Sequence, residues 1–287
     1  MIPMMNIVAW SSVVPWVDLR QVEQDLIISR AIVEIFSDPF LREQLRFRGG
    51  TALNKLHLPA PMRYSEDIDL VRTTSGPVGP VLARVREVLE PWLGHAEFVR
   101  SPVAPKLRFR TLAEDTATPS EIRLKVEINT REIDAYDPPC EVQFRVDNPW
   151  FSGDADACTF SLEEILATKL RALLQRNKGR DLYDLAHALA VFKGLNTRRV
   201  VECLGLYLQK TGLRISRAEA EERMFAKLRK PGLLTDLRPL LSTAEGKGLT
   251  EQTTKDMFAM VFYKLIVLLP GEPWAKTEDV KGRLGIP

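Results

Sequence analysis

Apolar positions recur along the chain at two periods, and the change from one to the other divides it. Between Asp18 and Asp38, Leu19, Val22, Leu26, Ile27, Ile32, Ile35 and Phe36 return at close to helical spacing, which predicts a packing helix with Asp18 as its N-cap. A short strand over Arg46 to Arg48 is expected next, then a helix over Thr51 to His57, a loop from Leu58 to Ser65 holding two prolines, a strand over Asp67 to Arg72, and a helix from Val78 to Trp92. The period then drops to two. Lys106 to Arg110 alternates, and so does Glu121 to Asn129, with Ile122, Leu124, Val126 and Ile128 on the buried side and Glu127 on the polar side. From Ser161 onward the pattern is helical. Ser161 and Glu164 have capping-box spacing at the head of a helix over Leu162 to Arg176, and Gly179 separates it from the next. Later helical runs span Arg198 to Gln209, Ser216 to Lys227 and Thr250 to Leu268, with Pro231 and Pro270 as breaks. The division predicts an α/β domain over 1–160 and an α-helical domain over 161–287.

Length and composition narrow the class. A chain of 287 residues with 45% hydrophobic content can bury a large core and suits two lobes. Forty basic residues against 38 acidic ones leave a net charge of +2, so affinity for nucleic acid has to come from local clustering. Cys140, Cys158 and Cys203 are odd in number and scattered, which fits a reducing cytoplasm better than a disulfide framework. His57, His95 and His187 lack zinc-ligand spacing. Met1 to Trp16 is apolar in places but has no early Lys or Arg and is interrupted by Pro3 and Pro15, so it reads as a docking arm or loose leader. No stretch reaches the roughly 20 apolar residues of a membrane span.

Candidate chemistry sits in Phe47-Arg48-Gly49-Gly50-Thr51 and Ser65-Glu66-Asp67-Ile68-Asp69-Leu70. On a strand, Asp67 and Asp69 share one face while Ile68 and Leu70 face a core. Two like charges so close repel, and a divalent cation removes that penalty while serving as a Lewis acid for phosphoryl oxygens, with magnesium the natural hard ion. Gly49 and Gly50 lack a Cβ, so the backbone there can take positive φ and approach a ligand. A helix starting near Thr51 would aim N–H groups at an anion, with Thr51 capping it or donating to a phosphate. Glu127 has two readings: a third carboxylate if its strand neighbours that of Asp67, or a solvated residue on an amphipathic strand. Lys106, Arg108 and Arg110 form a charged alternation whose default is a solvated face. On the helix that follows, Leu166, Leu170, Leu173 and Leu174 are expected to pack inward while Lys169 and Arg176 face out or toward a cleft, where basic groups can offset phosphate charge or complement the helix dipole.

Four ordered motifs carry a resemblance: Gly-Gly-Thr-Ala-Leu from Gly49, Arg-x-Ser-x-Asp-Ile-Asp-Leu from Arg63, Ala-Thr-Lys-Leu-Arg-Ala-Leu from Ala167 and Gly-Arg-Asp-Leu-Tyr-Asp-Leu from Gly179. Together, over about Phe47 to Leu185, the chain resembles the AbiEii/AbiGii family of nucleotidyltransferase-like toxins, which includes the MenT toxins. The resemblance implies an α+β, polymerase-β-type nucleotidyltransferase domain with a mixed sheet, followed by a helical lobe contributing to the active-site cleft. It further implies a toxin with a separately encoded antitoxin, transferring a nucleotide from an NTP to the acceptor end of tRNA. Carried over by motif, Gly50 and Thr51 match the phosphate turn, Asp67 and Asp69 the Mg2+ ligands with Ser65 beside them, Lys169 a contact to the triphosphate, and Asp181 a member of the site that orients Lys169 or Arg180. A continuous basic surface from Lys106 to Arg110 and Lys169 to Arg180 would favour RNA as acceptor. Scattered charge would favour a small molecule or a protein hydroxyl, and binding of NTP without pyrophosphate release would mark a non-catalytic module.

Overall fold

The computed structural model describes residues 2–114, 120–230 and 232–286. Met1 of the predicted arm and the Pro231 break lie outside them. The chain forms two compact units, Met1–Ser161 and Leu162–Pro287.

The first unit begins with α1 (Met4–Trp10), α2 (Leu19–Ser37) and α3 (Pro39–Gln44), followed by β1 (Leu45–Arg48) and α4 (Gly49–Ala52). After β2 (Asp67–Arg72) and α5 (Gly79–Leu93) come β3 (Glu97–Val99), β4 (Lys106–Leu112), β5 (Glu121–Asn129), β6 (Cys140–Asn148) and β7 (Phe151–Thr159). Among the described residues these strands make one mixed seven-stranded sheet in the order β3-β4-β5-β2-β1-β7-β6. β2 is central, antiparallel to β1 and parallel to β5. Its Ile68, Leu70 and Val71 are buried, as are Ile122, Leu124, Val126 and Ile128 of β5. α2 supplies the largest apolar stripe: Leu26, Ile28, Ile32, Ile35 and Phe36 are almost completely shielded, each worth about 1.5–3 kcal/mol of burial. Asp18 caps α2 as its spacing predicts, accepting from the Arg20 N–H at 2.9 Å.

One feature decides between two readings of the sequence and two depart from it. The amino-terminal arm docks and is not a loose leader: Ile7, Trp10, Val14 and Trp16 are buried, and both indoles donate to the Asp25 carboxylate, Trp10 Nε1 at 2.9 Å and Trp16 Nε1 at 3.1 Å. Prolines hide this docking by interrupting the period without preventing burial. The β6–β7 hairpin, absent from the predicted elements, extends the sheet beyond β1, with Thr159 Oγ1 donating to the Phe47 carbonyl at 2.7 Å. Its inward positions on β7 include Ala155 and Ala157, too small to register as a hydrophobic stripe. The helix expected from Thr51 begins two residues earlier, at Gly49, and widens into a π-helical turn over Leu53–His57.

The second unit is helical: α6 (Leu162–Gln175), α7 (Gly179–Val191), α8 (Thr197–Lys210), α9 (Arg217–Leu228), α10 (Thr243–Gly248), α11 (Glu251–Lys264) and α12 (Thr277–Leu284). Phe225, Phe258 and Phe262 form its aromatic centre, with ring centroids 5.3–5.7 Å apart. α9 opens with a complete capping box from Ser216 and Glu219. At the start of α6, Ser161 and Glu164 make tertiary bonds: Ser161 Oγ donates to Asp137 at 2.6 Å, and buried Glu164 accepts from the Tyr207 hydroxyl at 2.8 Å. The long run predicted to Leu268 ends at Lys264 and continues as a 3-10 turn over Ile266–Leu268. Among the described residues no helix is long and apolar enough to cross a membrane.

Candidate active site

The antiparallel register of β1 and β2 sets Arg48 opposite Asp69, so the residue leaving β1 arrives beside an acid. That residue is Gly49, at φ +85°, a conformation side chains rarely adopt. A Cβ added there would lie 2.3 Å from Asp69 Oδ2. Glycine is therefore required twice, by its dihedral and by the carboxylate against it. Gly50, expected to share this freedom, is an ordinary buried helical residue. The first turn of the helix that starts here leaves N–H groups without intrahelical partners.

Thr51 is neither a cap nor open to a ligand. It stands third in its helix and is 1% exposed; its hydroxyl donates to the Asp67 carbonyl and accepts from Ser65 Oγ at 2.8 Å. It ties the glycine turn to the start of β2 and leaves the partly exposed Ser65 as the hydroxyl nearer solvent. The turn is braced from behind. Asn54 Nδ2 donates to the Gly50 carbonyl at 2.9 Å while Asn54 Oδ1 accepts from Met62 N–H at 3.2 Å, and Lys55 reaches Asp25 at 2.6 Å.

Asp67 and Asp69 lie on one face of β2, and the parallel register with β5 places Glu127 opposite Asp69 and Lys125 opposite Asp67. Lys125 is absent from the sequence-based candidates. Its Nζ lies 2.8 Å from Asp67 Oδ2 and 3.5 Å from Glu127 Oε2, while Lys106 Nζ approaches the same Glu127 oxygen at 3.0 Å. Burial opposes the Lys125 charge, yet its hydrogen bond to Asp67 and the fields of Asp67, Asp69 and Glu127 carry its pKa above the ordinary value. Asp69 behaves oppositely: burial first, then the charge of Asp67, raise its carboxyl pKa despite Lys125. The opposite charges at Lys125 and Glu127, two positions apart on the polar face of β5, were the available signal for Lys125. It reads equally as a solvated face.

Among the described residues no three His, Cys, Asp or Glu side chains converge into a preformed metal cage. The donor set nonetheless fits a hard divalent cation. Asp67 and Asp69 offer carboxylate oxygens on one face, and ions of the magnesium type commonly bind through one or two carboxylates, with water and substrate phosphate completing the shell.

Lys169 and Asp181 belong to the second unit. Lys169 does not face outward: it is 7% exposed, and its ammonium pairs at 2.8 Å with Asp184, which is completely buried. The spacing Leu166, Lys169, Leu173 already puts it on the apolar stripe of α6, so the correction was within reach of the pattern. Asp181, fully buried, takes both arms of Arg176 at 2.7 and 2.8 Å, not Lys169 or Arg180. Gly179 opens α7 with its N–H on Asp236 at 2.9 Å, and a Cβ there would meet the Leu233 carbonyl at 2.2 Å. Of the cations expected to form a basic surface, Lys106 is matched by Glu127, Arg110 by Glu97 at 3.1 Å, Lys169 by Asp184 and Arg176 by Asp181, while Arg108, Lys178 and Arg180 have no carboxylate partner among the described residues.

The fold is shared with MenT4, a nucleotidyltransferase toxin from Mycobacterium tuberculosis, at 20% identity and a TM-score of 0.57, covering 98% of this chain and 96% of that one. JHP933 from Helicobacter pylori is similar at 18% identity and a TM-score of 0.54, covering 94% and 98%. No curated protein matches the chain. Residues 30–253 match the family described as nucleotidyl transferase AbiEii toxin of type IV toxin–antitoxin systems, and the chain belongs to that family.

Proposed function

We propose that this toxin transfers a nucleotide from an NTP to RNA, at the 3′ end of tRNA, blocking translation until its separately encoded antitoxin intervenes in the cytoplasm. The observation that carries the reading is the contact of Gly49 with Asp69, which brings an anion-accepting turn and a metal-competent carboxylate together. Magnesium held by Asp67 and Asp69 would supply Lewis-acid polarisation of the α-phosphate. The N–H groups at Gly49 and Gly50 and the Ser65 hydroxyl seat the β- and γ-phosphates, while Thr51 fixes the distance between turn and strand. Glu127, opposite Asp69, would accept the proton of the attacking hydroxyl as its oxygen bonds the α-phosphorus and pyrophosphate leaves, once Lys106 and Lys125 turn to the triphosphate. Lys169 and Asp181 enter through the family motifs: Lys169 as a cation to the triphosphate, Asp181 as a positioning residue acting through Arg176.

One observation favours a second reading. Because Lys106 and Arg110 are paired with glutamates, β4 offers no row of free cations beside the acids, which suits a small acceptor or a protein hydroxyl better than a nucleic-acid track. The test is incubation of the purified protein with each labelled NTP, magnesium and total tRNA. Label on RNA that disappears in Asp67→Ala is the expected result. RNA unlabelled by all four nucleotides discards tRNA as acceptor.

A further inference from the structure

While several cations near the sequence motifs are matched by carboxylates, another set gathers in the second unit, drawn from segments that carry no motif. Around an opening of about 700 Å3 stand Arg229, Lys230, Arg238, Lys255 and Arg283, with Glu251 the acid on its wall. Glu251 is matched by Lys255 at 2.9 Å, and Arg283 by Asp279 at 2.9 Å. Arg229, Lys230 and Arg238 are exposed and have no carboxylate partner among the described residues. A second opening of about 460 Å3 shares Arg229 and Arg283 and adds Lys276 and the partly exposed Trp274, with Glu222 and Asp279 among its walls. Nearby Lys227 registers the field: burial lowers its pKa, and Lys230 and Arg223 lower it further. In a chain whose net charge is only +2, this concentration is local.

We propose that this face binds the phosphate backbone of RNA and holds the body of the acceptor. The inference rests on RNA being the acceptor in the reading above. Guanidinium groups grip phosphate oxygens through paired N–H donors, and several cations around an open concavity suit a chain of phosphates, whose displaced counterions favour binding. Trp274 supplies a ring on which an unpaired base can stack.

The test compares wild type with the pair Lys230→Glu and Arg238→Glu, and with the milder pair Lys230→Gln and Arg238→Gln, by fluorescence anisotropy on labelled tRNA across a salt series. The reversal is expected to weaken binding by about tenfold or more, and the neutral pair to lower the slope of log K against log salt by roughly 1.4–1.8, two phosphate contacts' worth. Both residues are solvent-facing, so thermal melts should match wild type. In transfer assays KM for full-length tRNA should rise at constant kcat, while a short acceptor hairpin is labelled as before. Unchanged affinity and slope overturn the proposal. Unchanged RNA binding with lost antitoxin binding also overturns it, assigning the face to an acidic protein. If wild type labels no RNA yet the variants bind it more weakly, the surface stands and the choice of acceptor falls.

Discussion

Asp181 and Asp184 on α7 are completely buried, each locked to one cation, Arg176 or Lys169, at 2.7–2.8 Å. Asp67 and Asp69 on β2 remain partly exposed; Asp67 shares Lys125 with Glu127, and Asp69 resists ionisation beside a glycine held at positive φ. Both groups are pairs of aspartates close in sequence. The helical pair has been satisfied within the protein, whereas the strand pair carries unresolved electrostatic tension. Such tension is what a site gains by keeping ligands available. The difference is one of satisfaction: the acids of α7 fix the position of cations, whereas on β2 burial and the neighbouring acid hold Asp69 against ionisation.

The sharpest way to break this contrast is Asp67→Ala, expected to reduce nucleotide transfer on the order of 10²–10³-fold or more with an unchanged melting profile. Retained transfer in the soluble variant would remove the site assignment. Asp184→Ala should do the reverse in kind. Leaving the Lys169 ammonium buried and unpaired is expected to cost about 3–5 kcal/mol in denaturant unfolding, and a neutral result would mean that the pair is not structural. Gly49→Ala combines an unfavourable dihedral with displacement of the Asp69 carboxylate, so a loss of about 1–3 kcal/mol together with reduced transfer is expected from paired melts and assays.

Asp69→Asn sharpens the comparison through pH. The raised pKa of Asp69 means that, between the ordinary value of 3.8 and the raised one, the folded protein holds a proton the unfolded chain releases. Stability of the metal-free protein therefore falls as pH rises through that window, and above it the ionised carboxylate is a standing cost. In EDTA near neutral pH the Asn variant should melt above wild type, the gap closing as pH falls; a variant that melts lower would contradict the tension ascribed to β2. The smallest effect is expected for Lys125→Met, under about 1 kcal/mol because the pair is partly solvated. Melts with and without magnesium should show the added ion recovering the difference.

Much of the first unit was legible because its strands alternate cleanly: β2 and β5 fall where Asp67 to Arg72 and Glu121 to Asn129 place them. Their adjacency was not legible, since strand order depends on contacts that no local period encodes. β6 was within reach, because Val142, Phe144 and Val146 alternate with polar residues, but its mild half-buried face gives a weak signal. In the site, the acids and the glycine turn followed from residue type and spacing. Lys125 did not, since a lysine on a polar strand face looks the same whether it bridges two carboxylates or meets only water. The cations of the second unit were illegible for a different reason: Arg229, Lys230, Arg238, Lys255 and Arg283 span 54 positions of sequence and are joined only by folding.

Asp25 takes hydrogen bonds from Trp10 and Trp16 and also holds Lys55, which belongs to the helical turn continuing from Gly49. The two indoles thus double as an intrinsic optical probe of the glycine turn. With Trp92, Trp150 and Trp274 replaced by Phe, a shift in the remaining emission would signal loosening at that carboxylate, and nucleotide engagement could be followed without attaching a dye.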